Sequence, residues 1–421
     1  MPREKLSLPC GHSFLVFLTV FILAFAAIPS APAQTFTVLH SFRGGADGQA
    51  PGNGSLILDA KGNLYGATLL GGGGACDGGC GTVFKLAPTG TVTVLYAFTG
   101  TNGDGKYPNG PLVRDTAGNF YGTTYGGGTS GTACSGYGCG TVFMLDAAGH
   151  ETVLYSFSGG LDGATPEMGP VRDAGGNLYG TTHLGGTFNW GTVFKVDPSG
   201  NETVLHSFNG LTGDGGNAFA GLILDFAGNL YSTTEGGGNV NPNCLPGLEM
   251  GCGTVFTITT TGTESVLYAF RGYKDGNTPL GGVIRDNQGN LYGTSQPRPT
   301  PTGWGTVFKL YPGGRFTVLH TFSGAGGADP VAGLIADSSG NLYGTTSSGG
   351  TGSCTYFVGG GCGTVFELSP TGKFTVLYNF TGGTDGANPS AALVRDARGN
   401  LYGTASFSGA YNQGTVFKIT P

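Results

Sequence analysis

Eight cysteines fall into four close pairs, and this spacing is the clearest chemical signal in the sequence. The pairs are Cys76 and Cys80, Cys134 and Cys139, Cys244 and Cys252, and Cys354 and Cys362. An even number of closely spaced cysteines is typical of disulfides in exported proteins. A zinc site would need further ligands beside each pair, and each pair stands in a separate segment. We therefore predict four local disulfides and no metal site.

Carboxylates carry the other chemistry that the sequence offers. Paired carboxylates cleave glycosidic bonds when the distance between them is right, and spacing along the chain does not determine that distance. Asp-Gly segments supply oxygen ligands that suit calcium, although the regular spacing of a calcium loop is missing. We predict no cofactor and keep calcium as the alternative. The acidic candidates are Glu167, Glu235, Glu249, Asp104, Asp162, Asp214 and Asp275.

These residues belong to a unit that repeats seven times along the chain. Its first motif, Gly-Asn-Leu-Tyr-Gly or a close variant, begins at Gly62, Gly118, Gly176, Gly228, Gly289, Gly340 and Gly399. Successive copies are 51 to 61 residues apart. Each unit contains four strand candidates, and adjacent Val-Phe and Val-Leu pairs place apolar side chains on both faces of these strands. Each sheet must therefore be covered on both sides.

Seven four-stranded sheets that are covered on both sides predict an all-β fold, a seven-bladed β-propeller. The repeat region starts with a spare outer strand, Phe36–Phe42, and its last unit ends on a third strand, Gly414–Ile419. Pairing these two strands would close the ring and remove an open sheet edge.

Composition agrees with a turn-rich β fold. The chain has 421 residues, of which 85 are glycine and 10% are charged. The usual shares are about 7% and about 25%. Glycine disfavours helices, while 27 phenylalanines and 18 tyrosines supply a core that a disordered chain would lack. The net charge of −6 gives no indication of a nucleic-acid partner.

The first 33 residues have the pattern of a secretory signal peptide. Arg3 and Lys5 precede the apolar run Phe14–Ile28, and Ala31-Pro32-Ala33 forms a small-x-small cleavage site. The alternative is an uncleaved anchor helix, but the apolar run is short for a membrane span. We predict cleavage after Ala33. Residues 34–421 would then be one monomeric propeller domain without a membrane span, exported to the periplasm or beyond the cell.

The repeated unit resembles a known family. Its Gly-Asn-Leu-Tyr-Gly-Thr-Thr and Gly-Thr-Val-Phe-Lys-Leu motifs, followed by Thr-Val-Leu-Tyr-x-Phe, are similar to the Gloeo/Verruco (GloVer) tandem repeat of exported bacterial proteins. This resemblance extends from about Thr35 to Pro421. The Asp-x-x-Gly-Asn-Leu-Tyr portion is similar, more weakly, to NHL-repeat and gluconolactonase-type propellers. The GloVer resemblance implies a repeat architecture and no particular activity.

The two ends of the predicted blades differ in their loops. The Asp-x-x-Gly-Asn turn recurs in all seven units, and turn chemistry alone accounts for its Asp and Gly. At the other end, the loops before Gly-Thr-Val-Phe vary from 8 to 18 residues. Variable loops on a fixed scaffold are how binding surfaces are commonly built. We expect any functional site on this end, which we call the variable-loop face.

Chemically mixed residues open the variable loops, near the predicted mouth of the central channel. Among them we predict ligand contacts from Tyr125, His183, Glu235 and Gln296, against the alternative that these positions drift without selection. Trp190 and Trp304 stand directly before Gly-Thr-Val-Phe, where four other blades have a cysteine. These rings either plug the same space as the disulfide or form an aromatic platform for sugar rings.

These observations favour an exported, non-catalytic binding or surface-interaction propeller whose ligand is a glycan or another exported protein. One alternative is a glycan-cleaving hydrolase or lyase, or a lactonase-like enzyme, that uses carboxylates of the same face. Another is a purely structural envelope protein. A catalytic pair should show raised carboxyl pKa values, whereas a binding module should show aromatic side chains without converging acids.

Overall fold

A computed structural model describes residues 34–129, 134, 136–211, 213–239, 244, 251–259, 261–272, 275–296, 304–355 and 360–421. The predicted signal peptide and Glu249 lie outside these residues. Residues Gln34–Pro421 form one compact unit. In the described ranges, no helix has the length and apolar character needed to cross a membrane.

Seven four-stranded antiparallel blades form a β-propeller, as the repeats predict. Counting from blade 1 to blade 7, the innermost strands are β3 (Ile57–Leu58), β8 (Val113–Arg114), β13 (Val171–Arg172), β18 (Ile223–Leu224), β23 (Val283–Arg285), β27 (Ile335–Ala336) and β31 (Val394–Arg395). The second strands are β4 (Leu64–Leu70), β9 (Phe120–Thr124), β14 (Leu178–Thr182), β19 (Leu230–Thr234), β24 (Leu291–Ser295), β28 (Leu342–Thr346) and β32 (Leu401–Ala405).

The Gly-Thr-Val-Phe motifs form the third strands and the Val-Leu motifs the outer ones. The third strands are β5 (Thr82–Leu86), β11 (Thr141–Leu145), β15 (Thr192–Val196), β21 (Thr254–Ile258), β25 (Thr306–Leu310), β29 (Thr364–Leu368) and β33 (Thr415–Thr420). The outer strands are β6 (Val92–Ala97), β12 (Glu151–Ser156), β16 (Glu202–Ser207), β22 (Glu264–Ala269), β26 (Phe316–Thr321), β30 (Phe374–Asn379) and, in blade 7, β1 (Thr35–Ser41).

The ring closes as predicted, because the outer strand of blade 7 comes from the start of the repeat region. Strand β1 pairs antiparallel with β33, with Thr35 opposite Thr420 and Ser41 opposite Thr415. Short additional strands lie beside the variable loops: β2 (Gln49–Pro51), β7 (Gly105–Lys106) with β10 (Gly126–Gly127), and β17 (Gly215–Gly216) with β20 (Gly236–Gly237). A single 3₁₀ turn, Gly45–Asp47, completes the described elements.

The core lies between neighbouring blades and repeats with them. At every interface a Phe that follows the outer strand meets the Phe of the next blade's third strand, edge to face. The ring centroids are 5.1 to 5.4 Å apart in the pairs Phe42–Phe84, Phe98–Phe143, Phe157–Phe194, Phe208–Phe256, Phe270–Phe308, Phe322–Phe366 and Phe380–Phe417. This geometry is the favoured one for aromatic pairs, so each blade is fixed to the next by the same contact.

A β-bulge in each outer strand aims its side chains at the following blade. Val83 pairs with Tyr96 and Phe84 with Val94, so Leu95 is the extra residue. Leu95 and Tyr96 therefore both pack against the core between blades 1 and 2, although consecutive residues of a regular strand would point to opposite faces. The equivalent register shift occurs in the other six blades.

The repeated turn carboxylates serve the hairpins, as turn chemistry predicts. In blade 1, Asp59 accepts hydrogen bonds from the Asn63 amide nitrogen (2.8 Å), from Asn63 Nδ2 (2.8 Å) and from the Tyr65 hydroxyl (3.0 Å). Burial alone would raise the pKa of Asp59, but the bonds from Asn63 and Tyr65 outweigh it and lower that pKa. The same set of bonds recurs in blade 7 around Asp396.

The four predicted disulfides are formed, each within one variable loop. They join Cys76 to Cys80, Cys134 to Cys139, Cys244 to Cys252, and Cys354 to Cys362.

Candidate functional site

A ring of seven blade-to-blade junctions positions the variable loops. Each junction has one non-glycine residue with φ between 42° and 60°. These residues are Ala50, Tyr107, Thr165, Asn217, Thr278, Asp329 and Asn388, and Pro follows all of them except Asn217. Left-handed backbone is unfavourable for such residues, so the surrounding contacts must hold it in place.

The junction between blades 2 and 3 shows how this is done. The amide nitrogen of Thr165 donates to the Cys139 carbonyl of the preceding blade (2.8 Å), and its carbonyl accepts from the His183 amide nitrogen (3.2 Å). The following Pro166 packs on Gly140, where a Cβ atom would come within 2.6 Å of the proline ring. His183 is thus fixed by backbone contacts at the first position of its loop.

His183 and Glu235 open adjacent loops and meet at the centre of the variable-loop face. His183 Nε2 lies 3.6 Å from Glu235 Oε2, and about a quarter or less of each side chain is exposed. Asn217 Nδ2 donates to the His183 carbonyl (3.0 Å), and the Phe219 ring stands edge to face with the imidazole at 6.3 Å. Blades 3 and 4 therefore present a paired acid and base at one point.

Glu167 adds a buried acid beside this pair. Glu167 is 9% exposed, and its Oε2 accepts a hydrogen bond from Asn109 Nδ2 (3.1 Å). Burial raises the pKa of Glu167. The charge of His183 and the Asn109 bond oppose that rise, and the charge of Glu235 adds to it. Burial, and then the charge of Glu167, raises the pKa of Tyr125 in the same way.

Asn109 connects these residues to the central channel. The Asn53 amide nitrogen donates to Asn109 Oδ1 (3.3 Å), and Asn53, Met168 and Phe219 line a channel cavity of about 180 Å³. Much of the remaining lining is apolar, with Pro111, Leu222, Val283, Val331 and Ala392. We call Asn109, Tyr125, Glu167, His183 and Glu235 the mouth cluster, since they gather where this channel meets the variable-loop face.

The structure brings together three of the predicted ligand contacts and places the others elsewhere. Tyr125, His183 and Glu235 are in the mouth cluster, whereas Gln296 opens the loop of blade 5, where its carbonyl accepts from the Asn277 amide nitrogen (2.9 Å). Trp190 lies against the inter-blade loop at Gly210, so closely that a Cβ atom added to Gly210 would be 2.4 Å from the indole ring. Trp304 packs beside the core between blades 5 and 6. Both tryptophans occupy the place that cysteines take in other blades.

The sequence identifies Glu167 as one of several acids but gives no link between it and His183, and Asn109 was not predicted as a site residue. Both residues directly follow the junction proline, and the equivalent residues of the other blades are equally mixed in chemistry: Gly52, Phe219, Leu280, Val331 and Ser390. The variation at this position, which follows the junction, was the sequence signal that could have identified Asn109 and Glu167 as site residues.

On the far side of the channel, polar groups are paired with one another. Ser406 Oγ donates to the Pro51 carbonyl (2.9 Å) and lies 3.1 Å from Ser390 Oγ. Ser348 Oγ donates to Asp329 (2.8 Å). Burial raises the pKa of Asp329, and the Ser348 bond partly offsets that rise. This side offers local packing more than free acid–base chemistry.

Most of the large exposed apolar side chains of the described residues lie on loops of the variable-loop face, whereas Phe226 lies on a turn of the opposite face. Those on the variable-loop face include Leu161, Tyr137, Leu184, Phe188, Leu211, Phe407 and Tyr411. Lys106 Nζ lies 4.9 Å from the centre of the Tyr137 ring, and the Arg43 guanidinium lies 5.4 Å from that of Tyr411. Exposed apolar groups mark an interaction surface where they form a contiguous patch, and a partner that docks on this face would contact these side chains.

Larger clefts lie at the opposite face, between the repeated turns. Their volumes are about 640 to 750 Å³. Turn carboxylates such as Asp59, Asp225 and Asp337 line them, and each of these is already bonded to the Asn and Tyr of its own turn. We therefore place the candidate site at the mouth cluster, despite its smaller cavity.

Within the described residues, one further group can bring metal-ligating atoms together. His206, Asp214 and Glu264 each offer an atom within 4.8 Å of the other two, at the outer rim between blades 3 and 4.

The fold and the site together define the class of protein. It is a closed seven-bladed β-propeller with a cluster of polar residues at one mouth of its central channel. The chain belongs to the Gloeobacter/Verrucomicrobia repeat family, whose repeat matches residues 28–134, 131–244 and 244–421. The resemblance drawn from the sequence motifs is confirmed. No curated protein matches the sequence.

Solved structures share the architecture at low identity. The extracellular domain assigned to a hybrid two-component system of B. thetaiotaomicron matches at 15% identity and a TM-score of 0.52, over 92% of this chain and 41% of that one. PorZ, a surface component of the type-IX secretion system of Porphyromonas gingivalis, matches at 17% and 0.52, over 87% and 46%. This chain thus spans less than half the length of both.

A gluconolactonase from Xanthomonas campestris matches at 15% identity and a TM-score of 0.42, over 92% of this chain and 89% of that one. At these identities, the likeness to the first two structures establishes the propeller fold and nothing further.

Proposed function

We propose that this protein is an exported propeller that binds a glycan at the mouth cluster, without cleaving it. The observation that carries the proposal is the convergence of Tyr125, Glu167, His183 and Glu235 on the face whose loops also expose aromatic side chains. These residues come from three blades, so the fold, and not one local motif, creates the cluster.

The chemistry of the cluster suits a sugar. Sugar hydroxyls both donate and accept hydrogen bonds, and the cluster combines an acceptor carboxylate, Glu235, with an imidazole, an amide and a phenol. Rings such as Tyr137 and Phe188 provide flat apolar surface for the C–H face of a pyranose. A few placed polar groups beside apolar contact area are the usual composition of a small-ligand site.

Glycan cleavage is the second candidate, and two observations favour it: Glu167 and Glu235 converge, and the pKa of Glu167 is raised, which is the pattern expected of a catalytic pair. A carboxyl group whose pKa is raised by burial, beside the second carboxylate Glu235, is the arrangement of a general acid with its partner. We rank it second because Glu167 is nine-tenths buried and its Oε2 already accepts from Asn109.

Export follows from the disulfides. Four bonded cysteine pairs are typical of an oxidising compartment, which is the periplasm or the exterior in a bacterium, and this supports export. We propose that the ligand is met there. Another exported protein is the alternative partner, since Leu161 and Leu211 on the same face are largely exposed and apolar.

A glycan array probed with the purified, oxidised protein, combined with chromatography of released products, tests these functions. We expect a glycan to bind without turnover, and the triple variant Tyr125→Ala, His183→Ala, Glu235→Ala to weaken its binding at least tenfold. The matched control is His150→Ala, in a constant turn at the opposite face, which should bind normally. Released products that disappear in Glu167→Gln would establish cleavage instead, and unchanged binding by the triple variant would exclude the mouth cluster.

A further inference from the structure

The rim between blades 3 and 4 holds a second convergence of ligand atoms, separate from the mouth cluster. His206 lies on outer strand β16, Asp214 on the inter-blade loop, and Glu264 is the first residue of β22. His206 Nε2 lies 3.0 Å from Asp214 Oδ1. Amide nitrogens of Asn209 (2.9 Å) and Gly215 (2.7 Å) donate to the Asp214 carboxylate and hold it in place.

Glu264 completes this group with an oxygen that lacks a partner. Its Oε1 is shielded from solvent and accepts no hydrogen bond, although Glu264 lies close enough to Asp214 for the two charges to interact. A buried carboxylate oxygen without a donor is costly, and a second carboxylate nearby makes it more so. The equivalent Oε1 atoms of Glu151 and Glu202 also lack a donor, so the imidazole of His206 is what distinguishes this interface. A cation bound here would satisfy Glu264 Oε1 and neutralise both acids.

We propose that His206, Asp214 and Glu264 bind a divalent transition-metal cation that joins blade 3 to blade 4. One imidazole nitrogen with two carboxylates is a donor set for Zn²⁺ or Mn²⁺, whereas Ca²⁺ prefers oxygen ligands alone. Ligand atoms that share one zinc ion lie about 3.3 Å apart, so atoms already within 4.8 Å need only a small side-chain rotation.

Two neighbouring interfaces have the same carboxylates but lack the histidine, so they show what the histidine contributes. The same three positions are Tyr96, Asp104 and Glu151 between blades 1 and 2, and Tyr155, Asp162 and Glu202 between blades 2 and 3. The Tyr155 hydroxyl donates to Asp162 Oδ2 (3.0 Å), and burial, followed by the charge of Asp162, raises the pKa of Tyr155. A phenol that stays protonated is a poor metal ligand, so these two interfaces should not bind the cation.

The test is zinc titration by calorimetry, together with thermal unfolding, on untagged protein freed of metal with a chelator and kept oxidised. We expect the wild type to bind one Zn²⁺ per chain and to unfold at a higher temperature with zinc. His206→Tyr, which installs the residue of the two neighbouring interfaces, and Glu264→Gln should each weaken binding at least tenfold. Tyr155→His should create a second trio with Asp162 and Glu202 and raise the stoichiometry to two.

His150→Gln is the matched control, because His150 Nδ1 lies 3.1 Å from Asp146 on an exposed turn and offers a surface pair without a third ligand. It should leave the zinc stoichiometry unchanged. The proposal is overturned if the wild type shows no saturable zinc binding, or if His206→Tyr and Glu264→Gln, shown to be folded by circular dichroism, bind zinc as the wild type does. It is also overturned if only His150→Gln abolishes binding.

Discussion

The interfaces from blade 1 to blade 4 and those from blade 4 to blade 7 share one backbone but differ in one side chain. In the first half, the outer strand of the following blade begins with Glu151, Glu202 or Glu264, and each of these has a buried, unpartnered Oε1. In the second half a Phe takes that place and stacks face to face on the preceding outer strand. The pairs are Tyr268–Phe316, His320–Phe374 and Tyr378–Phe36, with centroids 3.7 to 4.1 Å apart.

The channel mouth follows the same division. Blades 2 to 4 contribute Asn109, Tyr125, Glu167, His183 and Glu235, which are polar or titratable. Blades 5 to 7 contribute Leu280, Val331, Ser347, Ser390 and Ser406, which are apolar or bonded locally. The exceptions are the polar Gln296 of blade 5 and the apolar Phe219 of blade 4. A tandem repeat starts with equivalent positions, so this difference shows chemistry concentrated in one half of the ring and packing in the other.

The largest predicted effect concerns the Phe pairs between blades, which should contribute similarly to stability in both halves of the ring. Phe157→Ala and Phe322→Ala each remove one ring of an edge-to-face pair at a fully buried position. Each should lower the free energy of unfolding by roughly 3–5 kcal/mol. Phe322 also contacts Phe374, so Phe322→Ala should lower the free energy of unfolding by up to about 1 kcal/mol more than Phe157→Ala does.

Chemical denaturation of the two alanine variants measures both losses, with the wild type as reference. A loss at Phe157 that is several kcal/mol smaller than the loss at Phe322 would contradict a shared core. It would mean that the titratable half is held together by its polar groups.

Exchanging the distinguishing residue between the halves should give the next largest effect. Phe316→Glu removes the ring stacked on Tyr268 and places a carboxylate near Asp275, which accepts from the Tyr268 hydroxyl. At pH 8 we expect a loss of about 2–4 kcal/mol, and less at pH 5.5, where the new acid is protonated.

The reverse exchange, Glu202→Phe, puts a ring against Tyr155 and removes a buried acid. We expect a gain of about 1 kcal/mol at pH 8 from denaturation midpoints. If both exchanges were neutral, the side chain at this position would not distinguish the halves energetically.

Two acids of the first half predict a pH dependence at outer-strand positions where the second half has a Phe. Burial, with a contribution from Asp104 or Asp162, raises the pKa of Glu151 and of Glu202 from 4.5 to about 7. The folded protein thus holds these protons more tightly than the unfolded chain. Their stabilising effect is complete below pH 4.5 and is lost as the pH rises through 7.

We therefore expect the unfolding temperature of the wild type to fall between about pH 5 and about pH 8, and the double variant Glu151→Gln, Glu202→Gln to flatten that fall. Calorimetric scans across this range measure the two slopes. Equal slopes would show that both carboxyl groups titrate as they do in the unfolded chain.

How far the sequence predicts this molecule depends on whether a feature repeats. The blades, the closure through Phe36–Phe42 and the four disulfides follow from motifs that recur or lie close together in the chain. The outer-strand bulge was missed because adjacent Val and Leu residues equally suit a strand covered on both faces.

Contacts between blades could not be predicted in the same way. Glu167 and His183 are close because a junction folds back against the loop of its own blade, and Glu264 meets His206 because blades 3 and 4 are neighbours in the ring. Neither distance is encoded in sequence spacing, which is why the group of His206, Asp214 and Glu264 was not predicted.

The smallest predicted effect concerns the side of the channel mouth formed by blades 6 and 7, and it rests on the proposed glycan binding. Ser347 and Ser406 occupy the same loop-opening position as His183 and Glu235, but their hydroxyls donate to the carbonyls of Asp329 and Pro51. The double variant Ser347→Ala, Ser406→Ala should therefore change glycan affinity less than twofold, against at least tenfold for the mouth-cluster triple. Calorimetry with the glycan found on the array compares the two. Equal losses would mean that the ligand spans the whole mouth, and the division of the ring would then hold for its rim but not for its binding face.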